Sequence, residues 1–149
     1  MKKVSKYILL IIVFLPLLYF RDFTPNNELK YLSIADEALR SGTYLTFTHE
    51  GSIYTDKPPL YLWLIMLCKQ LLGHHSMLLL GLFSFIPALL ILYVMEKWLS
   101  PYIPSNYLFT FSLMLITTGL FAGSAIVLRM DMLMSLFILR ALYTFYRMY

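Results

Sequence analysis

Apolar residues fill this chain in long unbroken runs, interrupted by one long polar interval. The first run, Tyr7 to Phe20 (YILLIIVFLPLLYF), follows Lys2, Lys3 and Lys6. A basic start and an apolar stretch resemble a signal peptide, but Arg21, Asp22 and Phe23 stand where a small-residue cleavage site would be needed. The pattern predicts an uncleaved first span over about residues 6–20, with its N-terminus in the cytoplasm. The run is slightly short of the roughly 20 residues a span needs, so Lys6 is expected to snorkel. Pro16 predicts a kink.

The polar interval runs from Asn26 to Pro59. Thr24-Pro25-Asn26-Asn27 reads as a turn with an Asn cap. Glu28 to Arg40 has helical period, with Leu29, Leu32, Ala35 and Leu39 on one face and Asp36, Glu37 and Arg40 off it. Ser41-Gly42 ends it. The expected element is an amphipathic helix lying on the membrane surface. Thr43 to Thr48 and Ile53 to Thr55 predict a short hairpin around Glu50-Gly51. Pro58-Pro59 then opens the run Leu60 to Gly73, which falls well short of the roughly 20 residues of a span and carries Lys69 and Gln70. A re-entrant or interfacial helix is expected there, so that an outer loop with juxtamembrane helices occupies about residues 21–75.

Three further runs follow. Met77 to Trp98 contains Pro87. Tyr107 to Leu128 contains Thr117, Thr118, Gly119, Gly123 and Ser124, small residues suited to close helix packing. Met132 to Tyr149 carries Arg140, expected to face inward or snorkel, and Arg147. Arg129-Met130-Asp131 is a polar break. Spans are therefore predicted over about residues 6–20, 77–98, 107–128 and 132–149. If Leu60–Gly73 does not cross, Asp131 returns to the side that carries Glu28, Asp56 and Lys57, and Lys97 and Arg147 fall inside with Lys2, Lys3 and Lys6. If it crosses, Asp131 and the loop are on opposite sides. Length and the basic residues favour the first arrangement.

Composition agrees. Of the 149 residues, 60% are hydrophobic and 13% charged, about half the charged share of a soluble domain; the mean hydropathy is +0.71. A soluble chain of this length could not bury so much apolar surface. The fold class is thus an all-α integral membrane protein of about four transmembrane helices, because lipid admits helices or closed barrels and these runs do not alternate. The net charge of +4 is spread out and predicts no nucleic-acid partner. Cys68 is alone and reads as a buried, inert thiol.

Six of the eight acids lie between Asp22 and Asp56, which concentrates the solvated chemistry in the loop. Carboxylates near an extracytoplasmic interface serve as general bases or metal ligands, and a neighbouring Lys clamps a phosphate. Glu28, Asp56, Lys57 and Asp131 are the candidates, with Arg129 as a second cation. Each also has a plain reading. Glu28 complements a helix macrodipole, Asp56-Lys57-Pro-Pro opens a helix, and Arg129 with Asp131 punctuates two spans. His74-His75 would diverge on a helix and make no metal pair; His49 is a loop residue with no partner at useful spacing.

The succession NELKYLSIADEALRSGTYL, GSIYTDKPPLYLWL, apolar spans and then RMD-MLMSLF resembles the start of the polyprenyl-phosphate-sugar-dependent membrane glycosyltransferases of GT-C fold, among them the aminoarabinose transferases that modify lipid A and the protein O-mannosyltransferase-like group. YTDKPPLYLW, Tyr54 to Trp63, is the most specific part, and the match covers nearly all of the chain. The resemblance implies catalytic roles for Glu28, Lys57 and Asp131, donor-phosphate contacts for Lys57 and Arg129, and a carboxylate for a divalent metal at Asp56. Where the family usually has the first Asp of an acidic pair, this chain has Asn27, which cannot act as a general base. The implied partners are a polyprenyl-phosphate sugar donor, a lipid A-like or protein acceptor and membrane lipids, in a bacterial inner membrane. Family members are several times longer, so the chain reads as the N-terminal portion of a GT-C fold, truncated or a fragment. The alternative is a non-catalytic membrane scaffold or assembly protein derived from the same family.

Overall fold

The computed structural model describes residues 3–25, 27–56 and 58–149, with side chains from Ser5 onward. Lys2, Asn26 and Lys57 lie outside the described residues. The chain is mostly helical: α1 (Lys3–Phe20), α2 (Glu28–Ser41), a hairpin of β1 (Phe47–His49) and β2 (Ser52–Tyr54), α3 (Pro59–Leu72), α4 (Met77–Leu99), α5 (Ser105–Thr117), α6 (Gly119–Ile126) and α7 (Asp131–Met148). Packing divides it into two compact units, one built from residues up to Leu18 and from Gly81 on, the other from Tyr19–Leu80.

In the Tyr19–Leu80 unit, α2 buries Tyr31, Leu32, Ile34, Ala35 and Ala38, and α3 buries Tyr61, Leu62, Ile65, Met66 and Cys68. Tyr31 and Tyr61 meet edge to face, with ring centroids 6.4 Å apart, a favoured aromatic geometry. The apolar face of α2 is therefore occupied by protein. It is also rotated from the expected one, since Leu29 is exposed. Leucines at fixed spacing marked a stripe, but the tyrosine and alanines complete the packed side. Gly42, left-handed at φ 69°, closes α2 as expected. Asn27 occupies the N-cap position but makes no side-chain cap hydrogen bond. The hairpin turns at Glu50 and Gly51, both at positive φ, as a two-residue hairpin turn requires; its register pairs Phe47 with Tyr54 and His49 with Ser52. At 14 residues, α3 rises about 21 Å, short of a bilayer core of roughly 30 Å.

The other unit is organised on α4, 23 residues long and continuous through Pro87. It is the one described helix that by itself is long and apolar enough to cross a membrane. α1 runs antiparallel to it. Phe14 stacks on Phe85 at 5.5 Å between centroids, and Lys6 forms an ion pair with Glu96. At the opposite end Leu18 is fully buried with Gly81 beneath it: a Cβ at Gly81 would lie 2.8 Å from Leu18 Cδ2. Glu96 also accepts hydrogen bonds from Tyr7 at 3.2 Å and from Ser112, tying α1 and α5 to the end of α4. Such networks satisfy polar groups that lipid cannot.

The expected continuous span over 107–128 is broken. α5 and α6 meet at 69°, and Thr118 is extended (φ −62°, ψ 118°). Thr117 and Thr118 hydroxyls donate to the carbonyls of Leu113 and Met114, a back-bonding habit that bends helices. Nor do the small residues serve close helix packing as expected, since a Cβ at Gly119 or Gly123 would meet nothing within 4 Å. If the bent pair is one span, the described residues hold two candidate spans. α1 is apolar but short, and α7 carries Asp131, Arg140 and Arg147. Arg140 lies on the exposed side of α7 and does not face inward.

Candidate functional site

Glu28 is fully buried at the head of α2. Arg21 grips its carboxylate with both terminal nitrogens, Nη1 donating to Oε2 at 2.9 Å and Nη2 to Oε1. The Thr24 N–H donates to Oε2 at 2.6 Å. A guanidinium fork and a main-chain N–H on one carboxylate are strong, charge-assisted hydrogen bonds, and here they tie the head of α2 to the turn before it. Asp56 is exposed, with the Tyr54 hydroxyl donating to Oδ2 at 3.4 Å. Burial, followed by the nearby Tyr31 and Asp56, pushes the Tyr54 phenol well above its ordinary range. Lys57 lies outside the described residues. Among the described residues, no three His, Cys, Asp or Glu side chains gather as a metal-binding set.

The same unit holds a cluster not foreseen from spacing. Asp36 Oδ1 receives Lys69 Nζ at 2.5 Å and His75 Nε2 at 2.8 Å. Burial opposes its ionisation, but the hydrogen bonds and charges of Lys69 and His75 outweigh burial and hold the carboxyl below the usual range. His74 and His75 lie in the connection between α3 and α4, not on a helix, and meet different partners: His74 Nδ1 is 3.0 Å from the Leu72 carbonyl. His49, at the end of β1, does have a polar neighbour: its Nδ1 is 3.4 Å from Ser33 Oγ. Cys68 is buried, and burial raises its thiol pKa.

Arg129 and Asp131 belong to the α4 unit. Arg129 Nε contacts Asp131 Oδ2 at 2.8 Å, both side chains partly exposed. Asp131 is the first residue of α7, where a negative charge complements the helix dipole. It also lines a cavity of about 580 Å³, otherwise walled by apolar side chains such as Ile91, Phe121 and Met132, with Ser124, Ser135 and Thr118 as the other polar groups. A largely apolar cavity with few polar groups is the usual form of a small-molecule or lipid site. Ser84, wholly buried in α4, binds the main chain of Arg129. A lone serine within an apolar run was the signal available for it. Arg21 had none, because it lies in the irregular connection before α2, where no periodicity relates it to Glu28. Glu28 and Asp56 thus belong to one unit, and Arg129 and Asp131 to the other.

No family model and no curated protein matches the sequence. A solved structure does match: the crystal structure of ArnT from Cupriavidus metallidurans in the apo state, with a TM-score of 0.64 over 87% of this chain. The fold is that of part of ArnT. Sequence identity to ArnT is 19%, so the likeness speaks for the fold. The chain spans about a quarter of the length of ArnT (25%). The GT-C resemblance read from the YTDKPPLYLW block and its surroundings therefore meets a fold of the same kind.

Proposed function

We propose that this chain is the N-terminal region of a membrane glycosyltransferase that moves a sugar from a polyprenyl-phosphate donor to a lipid A-like or protein acceptor on the extracytoplasmic face. The observation that carries the reading is the likeness to ArnT over nearly the whole chain. Asp131, at the edge of an apolar cavity, is the group we assign to deprotonate or orient the acceptor. The donor's leaving group is already a phosphate, so it needs charge neutralisation more than protonation. Lys57 and Arg129 would supply that charge. Asp56 would give one carboxylate to a divalent ion. Glu28, given its Arg21 clasp, is assigned to shaping the loop, although the resemblance places it among the catalytic residues.

The antiparallel pairing of α1 with α4 supports the membrane topology in this reading. Lys6 with Glu96 and Leu18 with Gly81 mark the two ends of that pair. The chain leaves at Leu18 and returns at Gly81 on the same end. With one crossing each by α1 and α4, α3 does not cross. Ser84 ties Arg129 toward that end, away from Glu96, which favours the extracytoplasmic face for Asp131.

The test is mass analysis of lipid A and protein glycans in cells carrying the intact gene, no gene, or Asp131→Ala or Lys57→Ala at matched membrane abundance. The expected result is a sugar modification present only with the intact gene. Equal modification in all four strains refutes the reading.

A further inference from the structure

We infer that Ser84 is a positioning residue for Asp131, acting through Arg129; this rests on the role proposed above for Asp131. The break between α6 and α7 leaves main-chain groups that no helix satisfies, inside an apolar bundle where unmet polar groups are costly. The Val127 N–H still reaches back to the Gly123 carbonyl at 3.0 Å, and the Met130 carbonyl accepts from Met134 N at 2.9 Å. Both main-chain groups of Arg129 go to one side chain. Ser84 Oγ donates to the Arg129 carbonyl at 3.1 Å and accepts from the Arg129 N–H at 3.4 Å.

A serine inside a helix ordinarily bonds to the carbonyl one turn back. This hydroxyl instead spans 45 residues of sequence, with no exposed surface. Leu128 and Met130, on either side of Arg129, are buried, so the connection is held on three successive residues. The Arg129 side chain then continues the line outward, its Nε fixing Asp131 Oδ2 at 2.8 Å. Ser84 thus sets the main chain from which the guanidinium orients the carboxylate beside the cavity. It touches neither substrate nor Asp131. Misplacing a reacting group by about 1 Å costs up to about a hundredfold in rate, so a small loss of register at Arg129 is enough to matter.

The experiment compares Ser84→Ala with Ser112→Ala in the full-length gene product, purified and assayed for sugar transfer, with Asp131→Asn as reference. Ser112 is also a buried serine of this unit, but it bonds to Glu96. Both serine variants should lower thermal stability modestly. Only Ser84→Ala should lower kcat, by about tenfold, with KM within about twofold, and shift the acid limb of the kcat–pH profile. The kcat of Ser84→Ala matching that of Ser112→Ala, while Asp131→Asn is inactive, overturns the inference alone. Wild-type transfer by Asp131→Asn overturns the reading on which it rests.

Discussion

Lys6, in the second turn of α1, forms an ion pair with Glu96, near the end of α4 and 90 residues away. Both side chains are mostly buried, and Ser112 and Tyr7 complete the group. Breaking one partner of a buried pair leaves an uncompensated charge, at a cost of about 3–5 kcal/mol. Lys6→Glu or Glu96→Lys alone should therefore abolish folded yield in detergent, and the double exchange should restore most of it. A restored double variant, read by size-exclusion yield and Tm, is the discriminating outcome. Equal loss in all three would assign the damage to insertion rather than to the pair.

Arg21 and Glu28 make a second such clasp in the other unit, and one member is wholly buried. Arg21→Met should destabilise the Tyr19–Leu80 unit by about 3 kcal/mol. Amide hydrogen exchange in the first turn of α2 should rise more than in α3. Protection unchanged at Leu29 and Tyr31 would remove the anchoring role.

Leu18 leaves no room above Gly81. A Cβ at Gly81 placed 2.8 Å from Leu18 Cδ2 must displace that methyl, which, fully buried, moves only against its packed neighbours. Gly81→Ala should cost about 1–3 kcal/mol through overpacking. Adding Leu18→Ala should make the two costs less than additive, as a double-mutant cycle on Tm would read. Strict additivity would place the contact outside the folded ensemble.

Acid should loosen the α2–α3 unit through Asp36 and Glu37. Lys69 and His75 outweigh burial at Asp36 and hold its carboxyl down. The Thr48 hydroxyl, then the Gly51 and Glu50 amides, do so at Glu37 against a smaller desolvation effect. A carboxyl whose folded pKa lies below its unfolded one contributes stability that is complete only above about pH 5, beyond its unfolded pKa. That contribution fades as the pH falls through the folded value. Protection factors at Ile65 to Cys68, corrected for the intrinsic pH dependence of exchange, should therefore fall on the acid side, and the acid-side slope should be shallower in Asp36→Asn. An identical slope in that variant would shift the effect to other groups.

Much of this arrangement is legible in the residues. The hairpin turn needed Glu50-Gly51, α3 was bounded by Pro58-Pro59 and Gly73, and α4 announced itself by length. What stayed hidden was relational. Thr117 and Thr118 read as packing residues because nothing local says that their hydroxyls bend the helix rather than line a contact. Gly81, the glycine that does sit under a neighbouring side chain, looked like any other small residue in an apolar run. Ser84 and Arg129 are joined by a bond from α4 to the connection between α6 and α7, for which no spacing rule exists. Leu29 misled because leucine at helical period marks a face only when no aromatic competes for the same side.

The bend at Thr118 sets a depth. α5, with 13 residues, rises about 20 Å. α6, with 8 residues and turned through 69°, adds only about 4 Å along the same axis. If α5 stands along the normal, the chain stops several ångströms short of a core of roughly 30 Å. Ser84 gives the same answer from the other direction, since it lies about 10 Å down α4 from Met77 and holds Arg129 there. Under the topology proposed above, Asp131 would then lie below the headgroup plane, in a well where water thins out. Under the function proposed above, an acceptor group would have to descend to the acid while the rest of its lipid or protein carrier stayed at the surface.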